Sequence, residues 1–226
     1  MIEVRRATSR FVTEEPGRST FHSFSFGPHY DPGNVALGAL VCHNDDRLLP
    51  GSGYAEHPHA NLEIVTWVLA GQLTHGDPHG RRSTIGAGEV QVLSAGSGVR
   101  HSETVDPGAG PTRFVQTWVR PDRPDTVPTY RRESVSAFQG WTQVAGAETL
   151  PLGTAGAALS VARLAAGDRL LVPDLALGHL FLATGRAAVG VDLLEDGDAL
   201  RLRHADPVLL TCVADAELVL WSLPGS

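Results

Sequence analysis

Short apolar runs recur along this chain, and hardly any carries the three-to-four-residue spacing of a helix face. Leu62 to Leu69, Glu89 to Leu93, Arg113 to Val119, Leu159 to Leu164, His179 to Ala183, Ala187 to Leu193, Ala199 to Arg203 and Glu217 to Leu223 read as strands. Between them lie turn clusters such as Asp77-Pro78-His79-Gly80, Gly86-Ala87-Gly88 and Glu195-Asp196-Gly197. Regular short strands with such punctuation predict an all-β sandwich or barrel.

The punctuation repeats. Leu69-Ala70-Gly71 closes a strand, Gly88-Glu89 opens another, and Trp118-Val119-Arg120-Pro121 ends a third. Ala183-Thr184-Gly185, Gly197-Asp198 and Trp221-Ser222-Leu223-Pro224 follow in the same order with tighter spacing. A duplicated domain explains that order. The Pro- and Asp-rich stretch from Pro121 to Pro128 is the expected linker, which divides the chain into residues 1–128 and 129–226.

Composition narrows the function more than the fold. With 226 residues, 42% of them hydrophobic, the chain can bury a sizeable core. Its 25 Gly and 15 Pro suit tight turns. A formal net charge of −7, with Arg pairs only at 5–6, 81–82 and 131–132, argues against a nucleic-acid surface. Cys42 and Cys212 stand far apart, which fits a reducing compartment and two small buried hydrophobes rather than a disulfide frame. The start, Met1-Ile2-Glu3-Val4-Arg5-Arg6, lacks the pattern of a secretory signal, and no apolar stretch reaches the length of a membrane span. A cytoplasmic monomer is the expectation.

The sharpest chemical feature is His57-Pro58-His59. In an extended segment residues two apart point to one side, so two imidazoles would converge on one point and suit a divalent transition metal. His101-Ser102-Glu103 repeats the spacing 42 residues after His59. If both strands line one barrel, His57, His59, His101 and Glu103 meet in its interior; otherwise the histidines are surface groups on turns. Glu63 shares parity with both His57 and His59, which would turn a second carboxylate inward if the strand is continuous. A bulge after Pro58 would instead leave it in solvent. Three imidazoles and a carboxylate leave two positions of an octahedral ion open, as a catalytic site requires. His75 and His79 flank a turn and are expected to be exposed, and His22 is a candidate to approach the site from the N-terminal segment.

The stretches GYAEHPHANLEIVTWVLAG (53–71) and GAGEVQVLSAGSGVRHSE (86–103) resemble the two signature blocks of the pirin family in the cupin superfamily. HSFSFGPHYDP (22–32) and Asn44-Asp45-Asp46 are similar to that family's N-terminal segment. The resemblance runs from about Ser19 to Pro121 and is mainly architectural beyond Gly140. It implies a bicupin, two antiparallel jelly-roll β-barrels, with metal in the first barrel alone. The family's ligands fall on His57, His59, His101 and Glu103, and no His-x-His or His-x-Glu follows Glu103.

Bacterial members are associated with quercetin 2,3-dioxygenase activity. The resemblance therefore implies a metal-dependent dioxygenase that takes a flat aromatic substrate and O2. Fe(II) is the leading ion, with Ni, Cu, Mn or Zn as alternatives. Glu103 would be the general base and Glu63 its reserve, with Trp67 and Leu93 walling the ligand. The rival is a non-enzymatic metal- or redox-responsive regulator that binds a protein partner. An exposed apolar patch around the metal mouth, without a deep pocket, would favour that regulator. A second rival is a different cupin chemistry, such as isomerisation or hydrolysis of a small metabolite, whose pocket would be smaller than the several hundred Å³ that hold a flavonol.

Overall fold

The computed structural model describes residues 1–135, 138 and 140–225. In chain order the first strands are β1 (Ile2–Arg5), β2 (Phe11–Glu15), β3 (Arg18–His22), β4 (Leu40–Leu48), β5 (Gly53–His59), β6 (Glu63–Ala70), β7 (Gln72–Gly76), β8 (Arg82–Gly86), β9 (Glu89–Ser94) and β10 (Val99–Thr104). Then come β11 (Thr112–Val119), β12 (Thr129–Ser134), β13 (Thr142–Ala145), β14 (Ala158–Leu164), β15 (Arg169–Val172), β16 (Leu175–Val189), β17 (Asp192–Glu195), β18 (Ala199–Ala205) and β19 (Val208–Leu223). Among the described residues the one helical element is the 3-10 turn Ala7–Ser9, so no helix is long and apolar enough to cross a membrane. The architecture is the expected all-β bicupin, built as jelly-roll-like antiparallel sheets rather than closed barrels.

Two units form. One comprises residues 11–135 and 152–154; the other takes residues 1–10 and the rest of the described chain. They do not run 1–128 and 129–226, because pairing overrides the linker signal at both ends. Strand β1 pairs antiparallel with β18, Ile2 opposite Leu202, and so joins the C-terminal unit. Strand β12 pairs with β9, Tyr130 opposite Leu93, and so extends the N-terminal unit. The stretch expected to be a linker is itself tied down within that unit. Asp125 N donates to Asn61 Oδ1 (2.7 Å), and Asp122 N donates to Gly153 O (2.8 Å).

The N-terminal unit has a seven-stranded sheet, ordered β12-β9-β6-β11-β4-β3-β2, and a four-stranded sheet, β5-β10-β7-β8. Leu48, Val68, Leu73, Ile85, Val105 and Phe114 form an apolar cluster between strands of both sheets. Strands β4, β6 and β11 are buried almost throughout; β6 and β11 therefore read as near-continuous apolar runs, whereas β4 buries the polar stretch His43-Asn44-Asp45-Asp46. Inside β4 the buried Asp45 receives Arg113 of β11 in a bidentate pair, Nε to Oδ1 at 2.8 Å and Nη2 to Oδ2 at 2.9 Å.

In the C-terminal unit β16 and β19 run 15 and 16 residues and pair along most of their length. The two strands expected at 179–183 and 187–193 are therefore one strand, bent by register shifts between Leu182 and Ala187, and the turn comes later, at Gly190-Val191. Leu180, Leu182, Leu200, Leu210, Leu218 and Leu220 belong to its core.

The internal repeat reappears in the geometry. Gly71 (φ 75°) and Gly185 (φ 92°) each take a left-handed conformation where the chain passes another strand's approach. A Cβ there would lie 2.5 Å from Pro111 O and 2.1 Å from Asp215 O respectively, so no side chain fits. Gly88 N donates to Val68 O, and Gly197 N donates to Leu182 O; both acceptors lie three residues before those glycines.

Candidate metal centre

Strands β5 and β10 are antiparallel neighbours, and their register sets His101 directly opposite His57 and Val99 opposite His59. Ala55 and Glu56 together oppose the single Ser102, a bulge that falls just before the histidine pair. Close approach of the two strands needs Gly53, since a Cβ there would lie 2.2 Å from Glu103 O. The result is three imidazoles in contact. Ring centroids are 4.8 Å apart for His57–His59, 4.5 Å for His57–His101 and 5.1 Å for His59–His101. One potential ligand atom from each lies within 4.8 Å of the other two.

The nitrogens are disposed for a cation. His57 Nδ1 donates to Ala55 O (2.7 Å), which leaves Nε2 with its lone pair. His59 Nε2 and His101 Nε2 are both buried and make no hydrogen bond. Unpartnered buried nitrogens are costly in a folded chain, and a divalent transition metal would satisfy both. Burial first, and then the charge of His57, lowers His59 to about 4. Burial, then His57, His75 and His59, lowers His101 to about 3. Both rings are thus neutral across the physiological range.

Glu103 lies two residues beyond His101 and is 1% exposed. Gln91 Nε2 donates to its Oε1 and Gln116 Nε2 to its Oε2, each at 2.7 Å. Both amides also reach Thr66 Oγ1 at 3.2 Å. Gln91, Thr66 and Gln116 form one row in register across β9, β6 and β11, so the larger sheet presents a polar stripe to this carboxylate. The amides are held in turn, since Tyr130 OH donates to Gln91 Oε1 (3.0 Å) and Trp118 Nε1 to Gln116 Oε1 (3.3 Å). Burial, reinforced by Asp46, outweighs the two amide bonds and raises Glu103 to about 7.

Other residues land differently from expectation. His75 is not exposed: it is buried in β7, opposite Glu103, with Nδ1 3.2 Å from His101 Nδ1. A second group of mutually close ligand atoms is therefore His75, His101 and Glu103, and Glu103 joins His101 there rather than the three-imidazole set. Glu63 joins neither group. Strands β5 and β6 are not continuous: Asn61 (φ 54°) breaks the chain between them, and they enter different sheets. The parity argument does not survive that break. Glu63 is buried, but it accepts Ser94 Oγ at 2.7 Å and packs on Gly153. His22 is also buried outside the cluster, bonded to Asn44 and stacked on Phe26, whose ring meets Trp118 and through it His59.

A cleft of about 540 Å³ opens beside His59, lined by Pro58, His59, Ala60, Gly98, Val99 and Arg100. Trp67 and Leu93 do not line it; both are buried in the larger sheet. Gln91 and Gln116 were the residues hardest to foresee. Their one signal is a glutamine inside an otherwise apolar strand, in EVQVLS and RFVQTWV.

The pKa values set a pH dependence for metal uptake. A cation that took Glu103 as a ligand would have to displace its proton below about pH 7, because burial raises that carboxyl. His59 and His101 are already neutral there and release none. Affinity should therefore fall as pH drops below about 7, by up to roughly tenfold per unit, and level off above it. Titration calorimetry in buffers of different ionisation enthalpy checks this. A Glu103→Gln variant that keeps the wild-type slope would refute the assignment.

The Pirin family model matches residues 3–119. A Mycobacterium tuberculosis protein named "Putative quercetin 2,3-dioxygenase" is 39% identical, with 98% of this chain and 95% of that protein covered. An Escherichia coli quercetin 2,3-dioxygenase is 36% identical over 62% of this chain and 61% of its own length. Among solved structures, the Escherichia coli bacterial pirin YhhW in complex with nickel(II) superimposes with a TM-score of 0.92 at 27% identity, over the full length of both chains.

Proposed function

Because the chain belongs to the pirin family, we propose that it is a metal-dependent dioxygenase that opens the ring of a flavonol such as quercetin with O2. The observation that carries this reading is the convergence of His57, His59 and His101 with two buried nitrogens lacking any hydrogen bond. Those three residues would hold a divalent transition metal, with Glu103 as the anionic ligand. Fe(II) and Ni(II) both suit an imidazole-rich donor set. When bound, the cation would acidify a coordinated substrate hydroxyl and supply the path to dioxygen chemistry.

The remaining work falls to the chain. Glu103, buried beside His101, is the carboxylate placed to take up the proton of the flavonol 3-hydroxyl. Gln91 and Gln116 fix its two oxygens, so it neither swings away nor needs to reorganise as it changes charge. An open cleft beside His59 would give a flat aromatic ligand access to one face of the three-imidazole cluster.

The test is anaerobic loading with Fe(II) or Ni(II), followed by quercetin and O2 with detection of carbon monoxide. Turnover with release of one carbon monoxide per flavonol is expected, and it should vanish in His57→Ala. Metal-loaded protein that consumes no flavonol with either ion would overturn the dioxygenase reading.

A further inference from the structure

We propose that His75 is a positioning residue for this centre: it holds His101 in the tautomer that turns the Nε2 lone pair toward the cation. The inference rests on the metal-binding reading above and deepens it.

A neutral imidazole carries one proton, and it can ligate only through the other nitrogen. For His101 Nε2 to bind, its proton must sit on Nδ1, deep in the protein, and there it needs an acceptor. His75 Nδ1, at 3.2 Å, is that acceptor. Accepting at Nδ1 puts the proton of His75 on its own Nε2, so the two tautomers are chained. His57 uses the same device with a different partner, Ala55 O. The difference matters. A carbonyl can only accept, whereas an imidazole can accept or donate, so the state of His101 follows that of His75.

Neighbours fix the ring of His75. It stacks on Tyr130, with centroids 4.5 Å apart and planes 27° from parallel. Tyr130 also donates to Gln91, which donates to Glu103. One aromatic residue thus supports the metal-facing groups along two routes, from behind His101 and from behind Glu103. It does so from β12, beyond the residues 3–119 that match the family model.

The experiment uses the full chain and nickel(II) as the probe, with two variants. His75→Phe keeps a ring to stack on Tyr130 but removes the acceptor, and His75→Asn restores an acceptor without the ring. Nickel affinity and stoichiometry come from titration calorimetry, and the tautomer of His101 in metal-free protein comes from long-range 15N–1H correlation spectra. Loss of a group that holds a metal ligand from behind costs roughly 10–100-fold in affinity. We expect that loss in His75→Phe, recovery of most of it in His75→Asn, and a proton on His101 Nδ1 in the wild type. Wild-type affinity in a folded His75→Phe, or a proton on His101 Nε2, would overturn the proposal while leaving the metal centre intact. Two nickel ions per chain, with one lost in His75→Phe, would also overturn it by making His75 a ligand. No nickel bound by the wild type would sink both this inference and the reading beneath it.

Discussion

His101→Ala is expected to weaken divalent-metal binding by more than about 100-fold, because a direct ligand must cost more than the roughly 10–100-fold lost with a group behind one. His101 is the residue shared by the two groups of close ligand atoms among the described residues. It lies opposite His57 across the β5–β10 pairing, contacts His59, bonds to His75 and precedes Glu103 by two residues. Its removal leaves two imidazoles and no fixed geometry. Equilibrium dialysis with nickel(II) or Fe(II) measures the loss, and the thermal midpoint of the metal-free variant checks that the fold survives. A metal affinity within tenfold of the wild type would show that the ligand set has been misassigned.

The second large effect is on stability. Arg113→Met should destabilise the protein by roughly 3–5 kcal/mol, the cost of stranding a buried carboxylate. Asp45 is fully buried and takes both of its short guanidinium bonds from Arg113. Arg47 stands 3.7 Å away, too far and too exposed to replace that pair. Removing both charges together, in Asp45→Asn with Arg113→Met, should recover much of the loss, since the penalty lies in burying a charge that has lost its short bidentate pair rather than in the missing attraction. Urea unfolding of the single and double variants decides it. A single variant within about 1 kcal/mol of the wild type would mean that the carboxylate is compensated by other means.

What the sequence made legible follows from which side chains face inward. Strands β6, β9, β11 and β14 bury apolar residues and are visible as apolar runs. Strands β5, β7 and β10 build the polar interior around the imidazoles, and a run such as GYAEHPH has no apolar signature to read. The two histidine-bearing pairs were legible because repeated two-residue spacing needs no knowledge of pairing. Their environment was not. His75 looks like a turn residue until β7 is paired with β10, and Gln91 and Gln116 become meaningful only when register sets them in one row with Thr66. Glu63 misled for the complementary reason: parity along the chain is informative only within one strand, and the left-handed Asn61 ends that strand. Likewise β12 looked like the start of a second domain because its edge pairing to β9 leaves no local mark.

Glu103 belongs to both halves of that account. Spacing singled it out, yet its surroundings come from distant parts of the chain: burial and Asp46 raise the carboxyl to about 7, and amides 12 and 13 positions away hold its two oxygens against that rise. The same burial that raises it would leave it unsuited to a solvent-exposed role.

The most direct test of the central claim is X-ray absorption at the nickel edge of protein loaded with one equivalent of nickel(II). The account predicts one ion per chain whose outer-shell scattering fits three imidazoles, with oxygen filling the remaining positions, and two imidazoles in His59→Ala. A spectrum with fewer than two imidazoles in the wild type, or one unchanged by His59→Ala, would contradict it.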